Sequence, residues 1–254
     1  MFFDIETSFN IGIFWRSGYN QTIHPHDIIH ERSIICICWK WEGEDDIYSL
    51  TWDKNQSDKS MLKKFLKELN KATEIVAHNG DKFDMKWLRT RALYHGLDMQ
   101  PTYDTIDTLK QAKSLFNFNS NKLDYIAQYL KVGAKMETGG LDLWKSIVLR
   151  KDEVALCKMV DYCKQDVYIL EEVFNKLNEY TKPKFNYAVY HGGEKFECPE
   201  CGKLPHYKSK RATASGTIFH RMQCSDREGC KKQFSINNKT YIDYLRFKTR
   251  HGIK

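Results

Sequence analysis

The sequence contains no apolar run near the length of about 20 residues that an α-helix needs to cross a bilayer. Its first nine residues, MFFDIETSF, lack the layout of a secretory signal peptide. No internal repeat and no low-complexity segment is found along the 254 residues. These absences argue against a membrane-spanning helix and a repeat architecture, and they lead us to expect a soluble, intracellular protein with no membrane partner.

Cysteine is present, but a reducing cytoplasm disfavours disulfides. A metal site is therefore the better explanation for a cluster among the eight cysteines. Hydrophobic residues make up 41% of the chain and aromatic residues 13%. This composition is typical of a globular protein with one sizeable core and a small second module.

The net charge of +7 conceals a division along the chain. Residues 1–181 carry 24 Lys and Arg against 27 Asp and Glu, a net of −3, whereas residues 182–254 carry 16 against 6, a net of +10. We therefore predict two domains, 1–181 and 182–254, with residues 181–195 as a linker. An acidic body with a basic appendage indicates that the appendage meets a polyanion such as nucleic acid, although a solvated basic surface would show the same charge.

Alternating and β-branched patterns predict strands, and helical periodicity predicts helices. The predicted strands are residues 1–6, 34–41, 47–52 and 73–77. The predicted helices are residues 58–71, 81–95, 121–131 and 152–180. This order predicts an α/β domain in which helices cover a sheet.

The helix predicted at residues 152–180 carries a long apolar stripe, spaced alternately by four and three residues: Leu156, Val160, Cys163, Val167, Leu170, Phe174 and Leu177. Tyr162 and Asp166 lie four residues apart beside this stripe, so both side chains point the same way, at the border between the core and a cleft.

Acidic residues occur in settings that suit divalent metal ions. Asp4 and Glu6 share one face of the first strand, and Asp84 follows a buried strand. Hydrolysis of a phosphodiester by water needs two divalent ions roughly 3.5–4 Å apart, and such hard ions prefer carboxylate ligands. Each motif alone is weak, because a second D-x-E occurs at Asp226 and Glu228 and Y-x3-D occurs three times.

Taken in order, the motifs resemble those of the DnaQ-like, or DEDD, exonuclease superfamily, which includes the proofreading domains of DNA polymerases. Three segments carry the resemblance: Phe-Asp-Ile-Glu-Thr at residues 3–7, Asn79-x3-Phe83-Asp84 and Tyr162-x3-Asp166. It covers the chain from Phe2 to about Leu177. It implies a ribonuclease-H-like mixed sheet flanked by helices, and two Mg²⁺ or Mn²⁺ ions in the active site.

The resemblance also implies a role for each motif residue. Asp4, Glu6 and Asp166 would hold the tighter ion, Asp4 would bridge to the second ion, and Asp84 would support that ion through water. Thr7 and Asn79 would contact the terminal nucleotide. One departure is that Asp4 comes only three residues after Met1, so either the strand is trimmed or the true start lies upstream.

The family has a histidine form and a tyrosine form, and this chain resembles the latter. No histidine lies between His95 and His191, which excludes the histidine form. Tyr162 would orient the attacking water, because an unperturbed tyrosine pKa near 10 makes it a poor base at pH 7. Asp104 and Asp107 are better explained by helix capping or local structure than by catalysis.

Cys198-Pro-Glu-Cys201-Gly is typical of a zinc knuckle. The second pair, Cys224 and Cys230, is separated by five residues, so half of the predicted zinc ribbon is irregular. Four cysteines around one structural Zn²⁺ explain the pattern best. His206 and His220 are lesser ligand candidates, and a redox pair is less favoured. The remaining cysteines lie in apolar patterns and are predicted to be core residues: Cys36, Cys38, Cys157 and Cys163.

Basic and aromatic residues alternate through the tail, as in proteins that neutralise phosphates and stack on unpaired bases. The candidate nucleic-acid contacts are Lys208, Lys210, Arg211 and Arg221. The interleaved aromatics are Tyr207, Phe219, Phe234, Tyr241, Tyr244 and Phe247, several of which we expect in the core of the small module.

The sequence is therefore interpreted as a 3′→5′ exonuclease acting on single-stranded or frayed DNA, similar to stand-alone phage or prokaryotic enzymes. Its expected setting is the cytoplasm of a bacterial or phage-infected host cell, with replication or recombination proteins as candidate partners. An exoribonuclease remains open, because no sequence feature reports contacts to a 2′-hydroxyl. A zinc-ribbon adaptor on a relic nuclease fold is disfavoured by the retained acids, and a structure-selective endonuclease has less support.

Overall fold

The computed structural model describes residues 1–16, 18, 22–134, 136, 139–181, 186–225 and 229–253. The chain divides into two compact units, Met1–Thr181 and Lys182–Lys254, called here the first and second units. The second D-x-E motif lies outside the described residues. Among the helices of the described part, none is both long and apolar enough to span a membrane.

The first unit contains a five-stranded mixed sheet and a small hairpin. Its strands are β1 (Phe2–Thr7), β2 (Ile11–Gly12), β3 (Ile28–His30), β4 (Ile34–Lys40), β5 (Ile47–Thr51), β6 (Ile75–Ala77) and β7 (Thr105–Asp107). The sheet has the order β5-β4-β1-β6-β7, and β2 pairs with β3 to form the hairpin. β1 is antiparallel to β4 and parallel to β6, so the sheet changes direction at its centre.

Helices cover the sheet on both faces, in the α/β arrangement of a ribonuclease-H-like fold. The helices of the first unit are α1 (Lys59–Leu69), α2 (Asp84–His95), α3 (Thr108–Leu115), α4 (Leu123–Leu130), α5 (Leu141–Arg150) and α6 (Glu153–Asn178). A 3-10 turn spans Pro25–Asp27. The mixed sheet and flanking helices confirm the predicted fold class.

Alternation along β1 separates two apolar cores. Phe2 packs in one core with β4 cysteines and the buried face of α6. Phe3 and Ile5 pack in the other core, with α1 and α2. Asp4 and Glu6 therefore share the α6 side of the sheet.

The eight predicted elements of the first unit all exist, with small shifts at their ends. α6 confirms the helix predicted at 152–180, with Asp152 as its N-cap accepting hydrogen bonds from Val154 and Ala155. α2 begins at Asp84 instead of residue 81, because a tight turn precedes it. Asp107 caps α3 through Leu109 and Lys110, as expected for local structure. Strands β2, β3 and β7 and helices α3 and α5 were not predicted.

The second unit is a three-stranded sheet covered by one helix. It consists of α7 (Tyr187–Tyr190), β8 (His206–Ala212), β9 (Ile218–Gln223), β10 (Gln233–Asn237) and α8 (Asn238–His251), with strand order β10-β9-β8. Its core contains Phe196, Met222, Ile236 and Tyr244, with Phe234, Tyr241 and Phe247 packed against them. Several tail aromatics are thus core residues, as expected. α7 lies within the predicted linker, so part of residues 181–195 is folded.

Candidate active site

β1 places two carboxylates beside each other at the centre of the sheet. Asp4 pairs with Cys38 and Glu6 with Cys36 on β4, so both side chains project from one face. They are half-buried, whereas Phe3 and Ile5 are buried on the opposite face. The strand thus presents two acids at a border between the core and the surface.

α6 brings a third carboxylate to the same place. Asp166 is 3% exposed. One ligand atom from each of Asp4, Glu6 and Asp166 can be chosen so that all three lie within 4.8 Å of one another. Three carboxylates this close repel one another unless a cation lies among them, and oxygen atoms are the donors that Mg²⁺ and Mn²⁺ prefer. The donor set therefore fits a hard divalent ion.

Asp84 reaches β1 from the start of α2. Asn79 has a φ of 63°, in the left-handed region that asparagine tolerates better than most residues. A Cβ on Gly80 would lie 2.4 Å from that of Ala77, so only glycine fits there. This turn starts the helix so that the Asp84 carboxylate accepts a hydrogen bond from the backbone N–H of Ile5.

The Asp84 carboxylate is outside the group of three but next to its strand. Its Oδ1 is buried and makes no hydrogen bond within the described part of the chain. Burial, and then repulsion from Asp107, raise the pKa of Asp84 to about 7. A buried carboxylate oxygen without a donor is compensated when a cation or a metal-bound water approaches it. Asp84 thus fits a second metal position.

Tyr162 is half-buried and packs against the core that contains the inner face of α6. It precedes Asp166 by one helical turn, so its side chain lies on the same side of α6 as that carboxylate. Its phenol offers a hydroxyl on that side of α6 without contributing a further negative charge.

Sequence reasoning assigned Cys163 only to the core, and the structure shows a further contact. The residue is fully buried, and its Sγ lies 3.5 Å from the backbone oxygen of Asp4 and 3.6 Å from its Oδ2. Burial raises the pKa of Cys163 well above the usual thiol value, so the thiol remains a neutral donor to Asp4. The position of Cys163 three residues before Asp166 on the same helix was the sequence feature that could have indicated this contact.

The two predicted nucleotide contacts have structural partners. Thr7 is 5% exposed, and its hydroxyl accepts a hydrogen bond from Arg32 at 2.6 Å. Its carbonyl accepts one from Trp144 at 3.1 Å. The backbone N–H of Asn79 donates to Asp107 at 2.9 Å. Their roles toward substrate stay predictions.

In the second unit, the four predicted cysteines come together. Atoms from Cys198, Cys201, Cys224 and Cys230 lie within 4.8 Å of one another. The Sγ atoms are 3.5 Å apart for Cys198 and Cys230 and 3.4 Å apart for Cys201 and Cys224. A zinc–sulfur bond of about 2.3 Å gives a tetrahedral edge of about 3.8 Å, so the cluster fits Zn²⁺.

Glycines make the two cysteine turns possible. Gly202 has a φ of 69° directly after Cys201. A Cβ on Gly229 would lie 2.3 Å from the Sγ of Cys224, so the backbone approaches the sulfur closely. The close approach at Gly229 explains how Cys224 and Cys230 both reach the site although five residues separate them.

The other metal-ligand candidates lie elsewhere. His206 is exposed, and His220 stacks on Tyr241 with ring centroids 3.7 Å apart. Neither belongs to the four-cysteine group. Cys36, Cys38 and Cys163 are buried, as predicted, but Cys157 is exposed, and its assignment to the core was wrong. Cys157 lies one residue past Leu156, on the outward side of α6.

The predicted basic contacts of the second unit divide between sheet faces. Side chains at directly paired positions share a face. Arg211 pairs with Phe219, while Lys210 pairs with buried His220 on the face toward the core. Arg221 pairs with Ser235 and Ser209. The face opposite α8, called here the open face, thus carries Arg211, Phe219 and Arg221, and Phe219 is 37% exposed. Lys208 lies at a register shift of β8.

Comparison with known proteins concerns the first unit. A family model described as the RNase_H superfamily matches residues 1–178. No curated protein matches the chain. One similar solved structure is the family B DNA polymerase from the hyperthermophilic archaeon Pyrobaculum calidifontis, at a TM-score of 0.51 and 17% identity. The match covers 70% of this chain and 24% of the polymerase chain, and at this identity it concerns the fold alone.

Proposed function

The chain belongs to the RNase_H superfamily, a membership that supports nuclease activity, and from that premise we propose a two-metal 3′→5′ exonuclease of the tyrosine-type DEDD class. Its proposed substrates are single-stranded or frayed DNA ends, which it hydrolyses to mononucleotides. The observation that carries the proposal is the approach of Asp4, Glu6 and Asp166 within 4.8 Å, with Tyr162 one helical turn from Asp166.

The residues of the site would bind metal, orient the water or position a metal ligand. Asp4, Glu6 and Asp166 would hold one Mg²⁺ or Mn²⁺, and Asp84 would support a second ion through water. When bound, such ions supply positive charge to the scissile phosphate and lower the pKa of a water molecule. Tyr162 donates or accepts a hydrogen bond that orients the water, and Cys163 holds the Asp4 carboxylate in position.

The strands and the helix around β1 hold the carboxylates in place before substrate binds. Asp4 and Glu6 are fixed by a central strand with partners on both sides, and Asp84 is tied to that strand through Ile5. Catalytic groups held on rigid elements do not have to be ordered when substrate arrives, so less binding energy is lost.

The second unit is proposed as a zinc-dependent nucleic-acid grip. Four cysteines, of which Cys224 directly follows β9, would hold one structural Zn²⁺. The open face supplies an aromatic residue, Phe219, which pairs with Arg211 on β8 and is followed two residues later on β9 by Arg221. Stacking on the ring and neutralisation of phosphates by the arginines suit an unpaired strand.

Matched oligonucleotides test polarity and substrate class together. DNA and RNA of the same sequence, each labelled at the 5′ end, are digested with Mg²⁺ or Mn²⁺. A ladder of 3′-shortened DNA that persists when the 5′ end is blocked supports the proposal. Faster digestion of RNA would favour the exoribonuclease, internal cuts an endonuclease, and no hydrolysis by the wild type would contradict the proposal.

A further inference from the structure

Arg32 lies two residues before β4 and is fixed against the end of β1. Its Nε donates to the backbone oxygen of Ser8 at 2.8 Å, and its Nη2 donates to Thr7 Oγ1 at 2.6 Å. Its backbone N–H donates to Asn10 Oδ1 at 2.8 Å. The side chain is therefore held in one orientation by oxygen atoms that carry no formal charge.

Two aromatic rings of the α2 segment complete the cradle of Arg32. The guanidinium carbon is 5.0 Å from the ring centroid of Trp87 and 5.8 Å from that of Phe83. Both distances are within the range of cation–π attraction. The planar group is thus positioned by two rings and two hydrogen bonds, which leaves Nη1 with no bond to the described residues.

Among the residues that the structure describes, no neighbouring carboxylate balances the positive charge of Arg32. Within the described part of the chain, no acid lies within 4.0 Å of this guanidinium, although it is half-buried. Burial lowers the pKa of Arg32, because desolvation disfavours the charged form. By contrast, the buried Arg91 donates to Asp58 through Nε at 2.7 Å and Nη2 at 2.8 Å. A half-buried cation without a counterion suits an anionic ligand.

The position of Arg32 in the fold indicates which anion. Thr7 follows the metal-binding candidate Glu6 directly, and Phe83 precedes Asp84 directly. Arg32 therefore bridges the two chain segments that place carboxylates at the site, β1 and the start of α2. Arg32 thus supplies a positive charge beside the acidic residues of the site. The proposed substrate is a polyanion, so such a charge favours its binding there.

We propose that Arg32 binds a backbone phosphate of the strand whose end occupies the carboxylate site. This assignment rests on the proposed nuclease function and adds a substrate-binding residue to it. Arginine suits the task because its planar group can donate two parallel hydrogen bonds to one phosphate. The cradle already restricts the Arg32 side chain, so binding a phosphate costs less side-chain conformational entropy.

The competing explanation is that Arg32 only joins β1 to α2. Replacement would then lower stability without changing how binding depends on salt. A phosphate contact, however, adds about 0.7 to the negative slope of log affinity against log salt for a single strand. The salt slope therefore separates the two roles.

Binding of a fluorescent single-stranded DNA is measured by anisotropy in an Asp166→Asn background, which prevents turnover under the proposed mechanism. Arg32→Gln is expected to weaken affinity about tenfold and to reduce the salt slope by about 0.7. Arg32→Lys keeps the charge, so it should retain the slope while weakening affinity. Arg89→Gln removes an equal charge from an exposed position of α2 and should change affinity less than twofold.

An unchanged salt slope in Arg32→Gln, with or without a lower unfolding temperature, would overturn the assignment. Should Arg32→Gln not fold, a shallower slope in Arg32→Lys would overturn it as well. Hydrolysis is assayed separately with the wild-type Asp166. A wild type that binds but does not cleave would contradict the proposed function while leaving the binding result on Arg32 valid.

Discussion

Asp58 is fully buried, and its carboxylate accepts hydrogen bonds from three residues of two elements, β4 and α2. Its Oδ2 accepts from the backbone N–H of Ile34 at 2.9 Å and from Arg91 Nε at 2.7 Å. Its Oδ1 accepts from Arg91 Nη2 at 2.8 Å and from His95 Nε2 at 2.6 Å. This cluster fixes α2, which carries Asp84 in its first turn, against the start of β4.

The substitution Asp58→Asn keeps the shape of the side chain but leaves Arg91 buried without a counterion. Removing one partner of a buried pair costs about 3–5 kcal/mol, and the 10% exposure of Arg91 favours the lower end. A loss of about 3 kcal/mol lowers the unfolding temperature of a unit of this size by about 6–12 °C. We expect activity to fall at temperatures where the variant begins to unfold.

Dependence on pH provides a further test of the same ion pair. Burial raises the pKa of Asp58, but hydrogen bonds from Arg91, Ile34 and His95 outweigh it, so the pKa is lowered overall. A lowered folded-state pKa means that the stabilisation is present above the unfolded value of about 3.9 and is lost as pH falls through the folded value. The difference between wild type and variant should therefore be constant from about pH 7 to 5 and narrow below about pH 4.

Tryptophan fluorescence during urea unfolding is the appropriate assay, because all six tryptophans lie at or before Trp144, within the first unit. The tryptophan signal therefore reports on the first unit. The double variant Asp58→Asn/Arg91→Met should lose less than the sum of the single variants, since no charge remains stranded. A loss below about 1 kcal/mol at pH 7, or a difference independent of pH, would refute the reasoning.

Four further predictions concern the two candidate sites. Tyr162→Phe should reduce kcat about 10- to 100-fold with little change in KM, as expected for a group that orients the water, measured by steady-state hydrolysis. Cys163→Ala should reduce stability by about 1 kcal/mol in urea unfolding and lower activity severalfold, because Asp4 loses a donor. Arg211→Gln combined with Arg221→Gln should reduce the salt slope of oligonucleotide binding by about 1.4. Cys224→Ser should release zinc, measured with a chromogenic chelator, and should unfold the second unit, while the tryptophan fluorescence of the first unit is unchanged.

Controls for these predictions come from neighbouring positions. Tyr168→Phe and Cys157→Ala change exposed residues of α6 and should leave activity within twofold of wild type. Lys210 lies in register with the core face of the second unit, so Lys210→Gln should reduce the salt slope less than Arg211→Gln does. A full loss of activity in either α6 control, or equal effects of Lys210 and Arg211, would contradict the assignments.

Local patterns were sufficient to predict most of the first unit. The alternate four- and three-residue spacing of α6 reports burial of one helix face, and the strands β1, β4 and β5 follow from β-branched and aromatic runs. β7 was missed because Thr105–Asp107 contains one apolar residue, whereas β6, of equal length, is the apolar run Ile75–Ala77. α3 was missed because it buries only Thr108 and Ala112 and so carries a weak apolar stripe, unlike α4 of equal length. The start of α2 depends on the left-handed Asn79 and the close approach at Gly80, which composition does not report.

The same distinction applies to the candidate sites. The carboxylates and cysteines were identified because metal chemistry restricts the residue types and their spacing. Arg32 was not identified, because its partners Thr7 and Trp87 are distant in sequence and no motif links them. The open face also depends on strand register, which a shift near Lys208 changes. Long-range packing, and not local pattern, decided these contacts.

The most direct test of the central claim compares Asp166→Asn with Asp46→Asn in hydrolysis of single-stranded DNA with Mg²⁺. Asp166 lies within the carboxylate group, whereas Asp46 is exposed in the turn between β4 and β5, beyond the opposite end of β1. We expect Asp166→Asn to lose at least about 1,000-fold in kcat, while it remains folded and binds the oligonucleotide, and Asp46→Asn to stay within twofold of wild type. Activity of Asp166→Asn within tenfold of wild type would contradict a metal centre formed by Asp4, Glu6 and Asp166.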